Sequence, residues 1–304
     1  MIGRHFRFAG LLGVAVAAFA LVPRLGGDYA IGVALNLLMW IALTQSWVVL
    51  SAMTGYVSLG HAVFFGAGAY VMVLCFGSLP FWLSVIVAGA ATGALALAVG
   101  YPCLRVRGPY FVILTFGLAE LVKFVVINIE AGLGQFGRLL FGGPGLAQIF
   151  YVVLVLAALS VAVTWFVRRS RFGRGLRAIR ENEEAAETLG IDVARFKVLA
   201  FALSAIVPGM VGAAMVLRTT YFEPLDLFNP ITSFTIVSIA IIGGGDDVPG
   251  PIYGAFFLVL MQELLWANWP EVYMILLGGL LVAFVLGVPD GIHGRVAAWR
   301  RSRR

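Results

Sequence analysis

The stretch Ala30-Ile31-Gly32-Val33-Ala34-Leu35-Asn36-Leu37-Leu38-Met39-Trp40-Ile41-Ala42-Leu43-Thr44-Gln45-Ser46-Trp47-Val48-Val49-Leu50 decides the fold. It opens a run from Tyr29 to Leu104, 76 residues without one Asp, Glu, Lys or Arg. A membrane-crossing helix needs about 20 mainly apolar residues, so the run holds several crossings. Charge-free stretches recur at Leu139–Val167, Val198–Leu217, Leu227–Gly245 and Val272–Pro289. None alternates in polarity as the strands of a membrane β-barrel do. Of 304 residues, 61% are hydrophobic with Gly left out and 12% are charged. Soluble domains carry about 25% charged residues, so a soluble fold lacks its polar surface. The aromatic and apolar content excludes disorder.

Apolar runs and helix breakers predict spans near 8–22, 29–53, 61–77, 80–101, 109–128, 149–167, 197–217, 231–243, 251–266 and 272–288. The expected fold is an all-α polytopic membrane protein, a single transmembrane domain over residues 1–304. It is a bundle of about 8–10 transmembrane helices with broken or re-entrant segments and cytoplasmic N- and C-termini. The eighth and ninth runs are short for a crossing at 1.5 Å rise per residue, so they are read as re-entrant, or as tilted and broken. Arg4, His5 and Arg7 before the first run resemble the start of a signal peptide. The spans that follow, and poor cleavage-site spacing, favour a retained helix.

Charge placement supports this map. With the N-terminus inside, the inner segments hold 17 of the 21 Lys and Arg, the outer ones only Arg24, Arg138 and Arg218. Lys123 falls within a span. Such asymmetry is the positive-inside signature. It accounts for the net charge of +6 without a nucleic-acid partner. The last basic cluster, 295–304, is a cytoplasmic tail. Cys75 and Cys103 fall at opposite ends of neighbouring spans and are read as free thiols.

Gly and Pro interrupt the spans at Thr54-Gly55-Tyr56-Val57-Ser58-Leu59-Gly60-His61, Pro208-Gly209 and Gly243-Gly244-Gly245. Gly55, Gly60, Gly243, Gly244 and Gly245 are candidate helix breaks. Breaks at membrane depth mark transport paths in many carriers, and small residues also admit close helix packing. Both readings stay open; Gly66 and Gly68 read as packing. His61 has no Cys, Asp or second His nearby and reads as a packed histidine, so no metal site is expected.

The longest polar stretch, 168–197, is basic first and acidic after, with Glu181, Glu183, Glu184 and Glu187. Leu176, Ile179, Ala186 and Leu189 recur at near-helical spacing, and Gly190 fits a helix C-cap. Arg177 with Glu181, and Arg180 with Glu184, stand at i,i+4. As one helix, the segment carries its charges against the macrodipole, so it is expected to need another surface.

At this loop the sequence becomes recognisable. Gly173–Ile191, with Arg174, Ala178, Ile179, Arg180, Glu181, Asn182, Ala185, Ala186, Leu189 and Gly190, resembles the ATPase-docking loop of ABC-importer permeases. Val57-Ser58-Leu59-Gly60-His61-Ala62-Val63-Phe64-Phe65-Gly66-Ala67-Gly68-Ala69-Tyr70 resembles, more narrowly, the permeases of branched-chain amino-acid importers. Arg107-Gly108-Pro109-Tyr110-Phe111, Phe116–Lys123 and Pro249–Ala255 continue the likeness. The resemblance implies uptake of amino acids, branched-chain ones first, across a bacterial inner (plasma) membrane. It implies a second, related permease subunit, two ATP-binding subunits and a periplasmic substrate-binding protein. The chain has two Lys, at 123 and 197, and no Gly-x-x-x-x-Gly-Lys-Ser/Thr phosphate loop. ATP and Mg are therefore expected in partner subunits, with no cofactor in this chain and no enzymatic activity of its own.

Candidates for the translocation path are Glu120, Lys123, Asn36, Gln45 and Asn128. Glu120 and Lys123 share a helix face, and Glu120 lies 12 residues past Gly108, about 18 Å into a helix. Intramembrane charges face the bundle interior and mark pathways, or pair to hold helices; both readings stay open. The broken segments and this pair also fit an ion-coupled secondary transporter for a small polar solute, the alternative function. No nucleophile–base set supports an intramembrane enzyme.

Overall fold

The computed structural model describes residues 2–268 except 135, 136, 220 and 246, with scattered positions from 272 to 295; side chains are described from residue 8. Helices α1 (Ile2–Ala20) and α2 (Val22–Leu25) precede α3 (Asp28–Thr54), α4 (His61–Cys75), α5 (Phe81–Cys103) and α6 (Pro109–Gly132). Then come α7 (Leu146–Arg169), α8 (Arg171–Glu181), α9 (Glu183–Thr188) and α10 (Val193–Met215). The short α11 (Pro224–Leu227) leads to α12 (Pro230–Gly243) and α13 (Pro249–Asn268). Two two-residue strands, β1 (Arg138–Leu139) and β2 (Tyr221–Phe222), pair antiparallel. Among the described residues seven helical stretches are long and apolar enough to cross a membrane, with α4 and the apolar part of α13 shorter. The run 272–288 lies largely outside the described residues, as do Asp246 and residues 296–304 of the tail.

Helix α3 is apolar on all sides, and 83% of its most apolar window is buried. A helix hydrophobic all round belongs in a core. It packs against α7, α10, α12 and α13, while α10 also contacts α4 and α5. Helix α1 lies outside, with Phe8 stacked on Trp165 at 4.4 Å. Helix α10 runs unbroken through Pro208. There Gly209 meets Thr92 of α5 and Gly68 of α4, and a Cβ on Gly68 would overlap the Gly209 carbonyl. Packing therefore explains the Pro208-Gly209 pair, as it does Gly66 against Phe228.

Ends that sequence parity assigns to one side come together. Arg168, at the end of α7, pairs with Asp247 at 3.0 Å, and Arg180 of α8 donates to the Ala52 carbonyl at 2.7 Å. These mark the inner face. On the outer face Tyr29 donates to Glu263 at 2.7 Å and β1 meets β2. The α12–α13 turn thus reaches the inner face while β2 and Glu263 lie at the outer one. Residues 224–268 run from the outer ends to the inner ones and back, with the first leg broken between α11 and α12, which fits the broken reading of these short runs. Asn229 caps the restart by accepting from the Ile231 amide at 3.0 Å. Cys75 and Cys103 are free and end helices of opposite direction.

The inner loop departs from expectation. It is not one helix but two, broken at Asn182, whose extended backbone starts α9 and whose side chain accepts from the Ala185 amide at 3.1 Å. Asn is among the strongest N-caps. The break reverses the dipole argument: Arg180 now ends α8, and Glu183 and Glu184 open α9. These three charges sit at favourable helix ends, whereas Arg171 at the start of α8 and Glu181 at its end do not. The Arg180–Glu184 spacing consequently crosses the break.

Candidate functional site

The inner-face loop rests on the membrane bundle through α8. Leu176 and Ile179 are buried; Gly175 lies against the Phe196 ring and Gly173 against the Val167 carbonyl. Ser170 starts α8, accepting from the Gly173 amide at 3.0 Å. Asp192 starts α10, accepting from the Arg195 amide at 3.1 Å. Helix α9 touches little: Ala186 packs with Ile179 and Val193. Arg174, Arg180, Glu181, Asn182, Ala185 and Gly190 are exposed, Ala178 less so. Leu189, which shares the near-helical spacing of the buried Leu176, Ile179 and Ala186, is 78% exposed. The chain turns away after α9 because Gly190 adopts φ 82°, a left-handed conformation that glycine enters freely.

Behind this face lies a cluster that sequence reasoning missed. The Glu183 carboxylate accepts from the Tyr56 hydroxyl at 2.5 Å, pairs with Arg107 Nε at 3.0 Å and pairs with Lys197 Nζ at 3.2 Å. Lys197, 4% exposed, also donates to the Tyr56 hydroxyl at 3.0 Å and the Leu104 carbonyl at 3.3 Å. Its ammonium stands 4.6 Å from the Tyr56 ring centre, within cation–π range. Burial first, then the Glu183 carboxylate, pushes the Tyr56 phenol well above its ordinary pKa, so it stays a donor. A cleft of about 400 Å³, lined among others by Gly55, Tyr56, Arg107, Glu181 and Glu184, opens beside the cluster.

Tyr56 belongs to the irregular segment 55–60. Gly55, at φ 79°, ends α3. The chain then folds back along α3: Trp47 Nε1 donates to the Ser58 carbonyl at 2.9 Å, and the Ser58 amide donates to Ser51 Oγ at 3.3 Å. The Leu59 amide donates to Thr115 Oγ1 at 3.2 Å, and the Ala62 amide to Ser233 Oγ at 2.9 Å. Hydroxyls of α3, α6 and α12 thus satisfy the irregular backbone, as buried amides require. A Cβ on Gly60 would press on the Thr115 carbonyl. His61 is fully buried and edge-on to Phe64 at 5.8 Å. Gly243 and Gly244 let α12 approach Gly250 of α13, whereas Gly245 is less crowded.

The path candidates do not converge. Glu120 and Lys123 are ion-paired on α6. Gln45 is buried and donates to the Val248 carbonyl at 2.6 Å, tying α3 to the α12–α13 turn. Asn128 turns back on its own helix, donating to the Phe124 carbonyl at 2.7 Å, and Asn36 is half-buried on α3. A further ion pair, Glu130 with Arg138 at 2.7 Å, fixes the outer end of α6. Among the described residues no group of three or more His, Cys, Asp or Glu could hold a metal.

A family described as the permease component of branched-chain amino-acid transport systems matches residues 30–285. The high-affinity branched-chain amino-acid permease LivM of Salmonella typhimurium is 28% identical, over 93% of this chain and 73% of its own. The corresponding LivH of Escherichia coli is 25% identical, over 79% of this chain and 86% of its own. The autoinducer 2 import permease LsrC of Salmonella choleraesuis is 26% identical, over 88% of this chain and 79% of its own. No solved structure matches.

Proposed function

Because the chain belongs to the permease family of branched-chain amino-acid transport systems, we propose that it passes leucine, isoleucine or valine inward through an ATP-driven importer. It is a multi-pass inner-membrane transporter subunit, not an enzyme. Its complex comprises a second, related permease, two ATPases holding ATP and Mg, and a periplasmic binding protein. The observation that carries the reading is the outward face of α9. Ala185 and Leu189 are exposed there, beyond the inner ends of the spans. Small and apolar side chains on a short helix anchored from behind offer a contact surface for the ATPases.

The translocation path runs along α6, between this chain and the second permease. Helix α6 packs mainly on α4, α5 and α11 among the described residues, with Phe116 against Phe234 of α12. Its other side is apolar, with Ile113, Leu121 and Phe124 exposed, but carries Glu120 with its side chain 28% exposed. A carboxylate facing lipid at mid-depth costs several kcal/mol, which favours a cover of protein or water. Glu120 and Lys123 then line the path as a paired polar wall for a zwitterion.

Reconstitution of the complex in liposomes tests the function. Labelled leucine is taken up only with ATP, both ATPases and binding protein present, and Ala185→Trp abolishes uptake while the subunit still inserts. Undiminished uptake by that variant removes α9 from the docking role. Uptake by this chain alone under an ion gradient would establish the secondary-transporter alternative.

A further inference from the structure

We infer that Glu183 is the positioning residue through which movement of α9 reaches the start of α4; this rests on the reading of α9 as the ATPase contact. Among the described residues the connections of α9 are few. Its apolar one is Ala186 with Ile179 and Val193. Its polar one is Glu183, whose three donors come from three places: Tyr56 after α3, Arg107 before α6, and Lys197 in α10. Helix α8 is fastened separately, by Arg180 on the Ala52 carbonyl and by its buried Leu176. The two helices meet at Asn182, where the backbone is extended. A push on α9 can therefore hinge at Asn182 and leave α8 on α3.

Tyr56 carries the push onward. It lies within the segment bounded by Gly55 and Gly60, whose amides are held by hydroxyls rather than by a helix ladder. Such contacts shift more readily than helical hydrogen bonds, which are lost only with the helix. The Ala62 amide bond to Ser233 joins the same point to α12. One displaced carboxylate thus acts on α4 and, through it, on α12. Lys197 keeps the carboxylate in place from α10 and ties it to the Leu104 carbonyl.

The test uses the complete complex in proteoliposomes, with Glu183→Gln and, to avoid a buried unpaired ammonium, Glu183→Gln/Lys197→Met. Two quantities are read: leucine transported per ATP hydrolysed, and the distance between nitroxides at Val57→Cys and Phe166→Cys with and without a non-hydrolysable ATP analogue. Expected is about a tenfold fall in transport per ATP, the size of an ordinary coupling term, together with loss of the nucleotide-dependent shift at Val57. An unchanged ratio, or an unchanged shift, overturns the inference. So does a parallel fall of uptake and hydrolysis with loss of bound ATPases, which marks an assembly role. If Ala185→Trp transports normally while Glu183→Gln uncouples, the docking surface is misplaced but the Glu183 link stands.

Discussion

Glu130 shows how much one side chain can hold at a membrane boundary. It is 2% exposed and accepts from Arg138 at 2.7 Å and from the Tyr70 hydroxyl at 2.6 Å. It thereby ties α6, α4 and the β1–β2 ribbon at the outer face. Removing one partner of a buried pair leaves the other charge uncompensated, typically at a cost of about 3–5 kcal/mol. Arg138 is partly exposed, so the lower end applies. Glu130→Ala should lower the melting temperature of the detergent-solubilised protein. Glu130→Gln/Arg138→Met should recover most of the loss, because the double change strands no charge. A double variant as unstable as the single one would show that the pair does not carry the ribbon. Glu183 follows the same physics at the inner face, with three donors instead of two.

At the scale of elements, glycines separate into those that admit a neighbour and those that do not. Gly68→Ala would push a methyl into the Gly209 carbonyl, where neither backbone can yield, while Gly117 on α6 has nothing within 4 Å of a new Cβ. Overpacking costs about 1–3 kcal/mol, and Gly→Ala in a helix gains up to about 1 kcal/mol. Thermal unfolding of the two variants should therefore move in opposite directions, and a destabilised Gly117→Ala would contradict the open face of α6. The sequence made the spans and their direction legible, because charge-free runs and arginine-rich ends are local signals. Packing at Gly66 and Gly68 was readable too, since small residues inside an apolar run have few other uses. The break at Asn182 was written in capping chemistry, an Asn followed by Glu183 and Glu184, but periodicity across Leu176–Ala186 masked it. The Glu183 cluster had no local signature: Tyr56, Arg107, Glu183 and Lys197 come from four separate stretches, and only the fold brings them together. Leu189 shares the spacing of the buried residues but follows the end of α9 at Thr188, and it points outward.

At the scale of the molecule, the question is which side of the bundle would meet the proposed second permease. Exposed apolar side chains do not decide it, since lipid covers Val155 on α7, 61% exposed, as readily as Leu121 on α6, 59% exposed. Charge favours one side. Glu120 directly precedes Leu121 on the same helix, about 100° round its axis, and is part-exposed, and no charged side chain is placed within α7 before Arg168. Lipid against α7 is cheap and lipid against α6 is not, so α6 is the side that gains from a protein neighbour. With Cys75 and Cys103 replaced by Ala, a single Cys introduced at Leu121 should cross-link to the partner permease in native membranes, and one at Val155 should not. The adduct should form without ATP, because the cover over Glu120 is needed in every state. Cross-linking from Val155 and none from Leu121 would move the interface to α7 and leave the Glu120–Lys123 pair as a fastening within α6, outside the path.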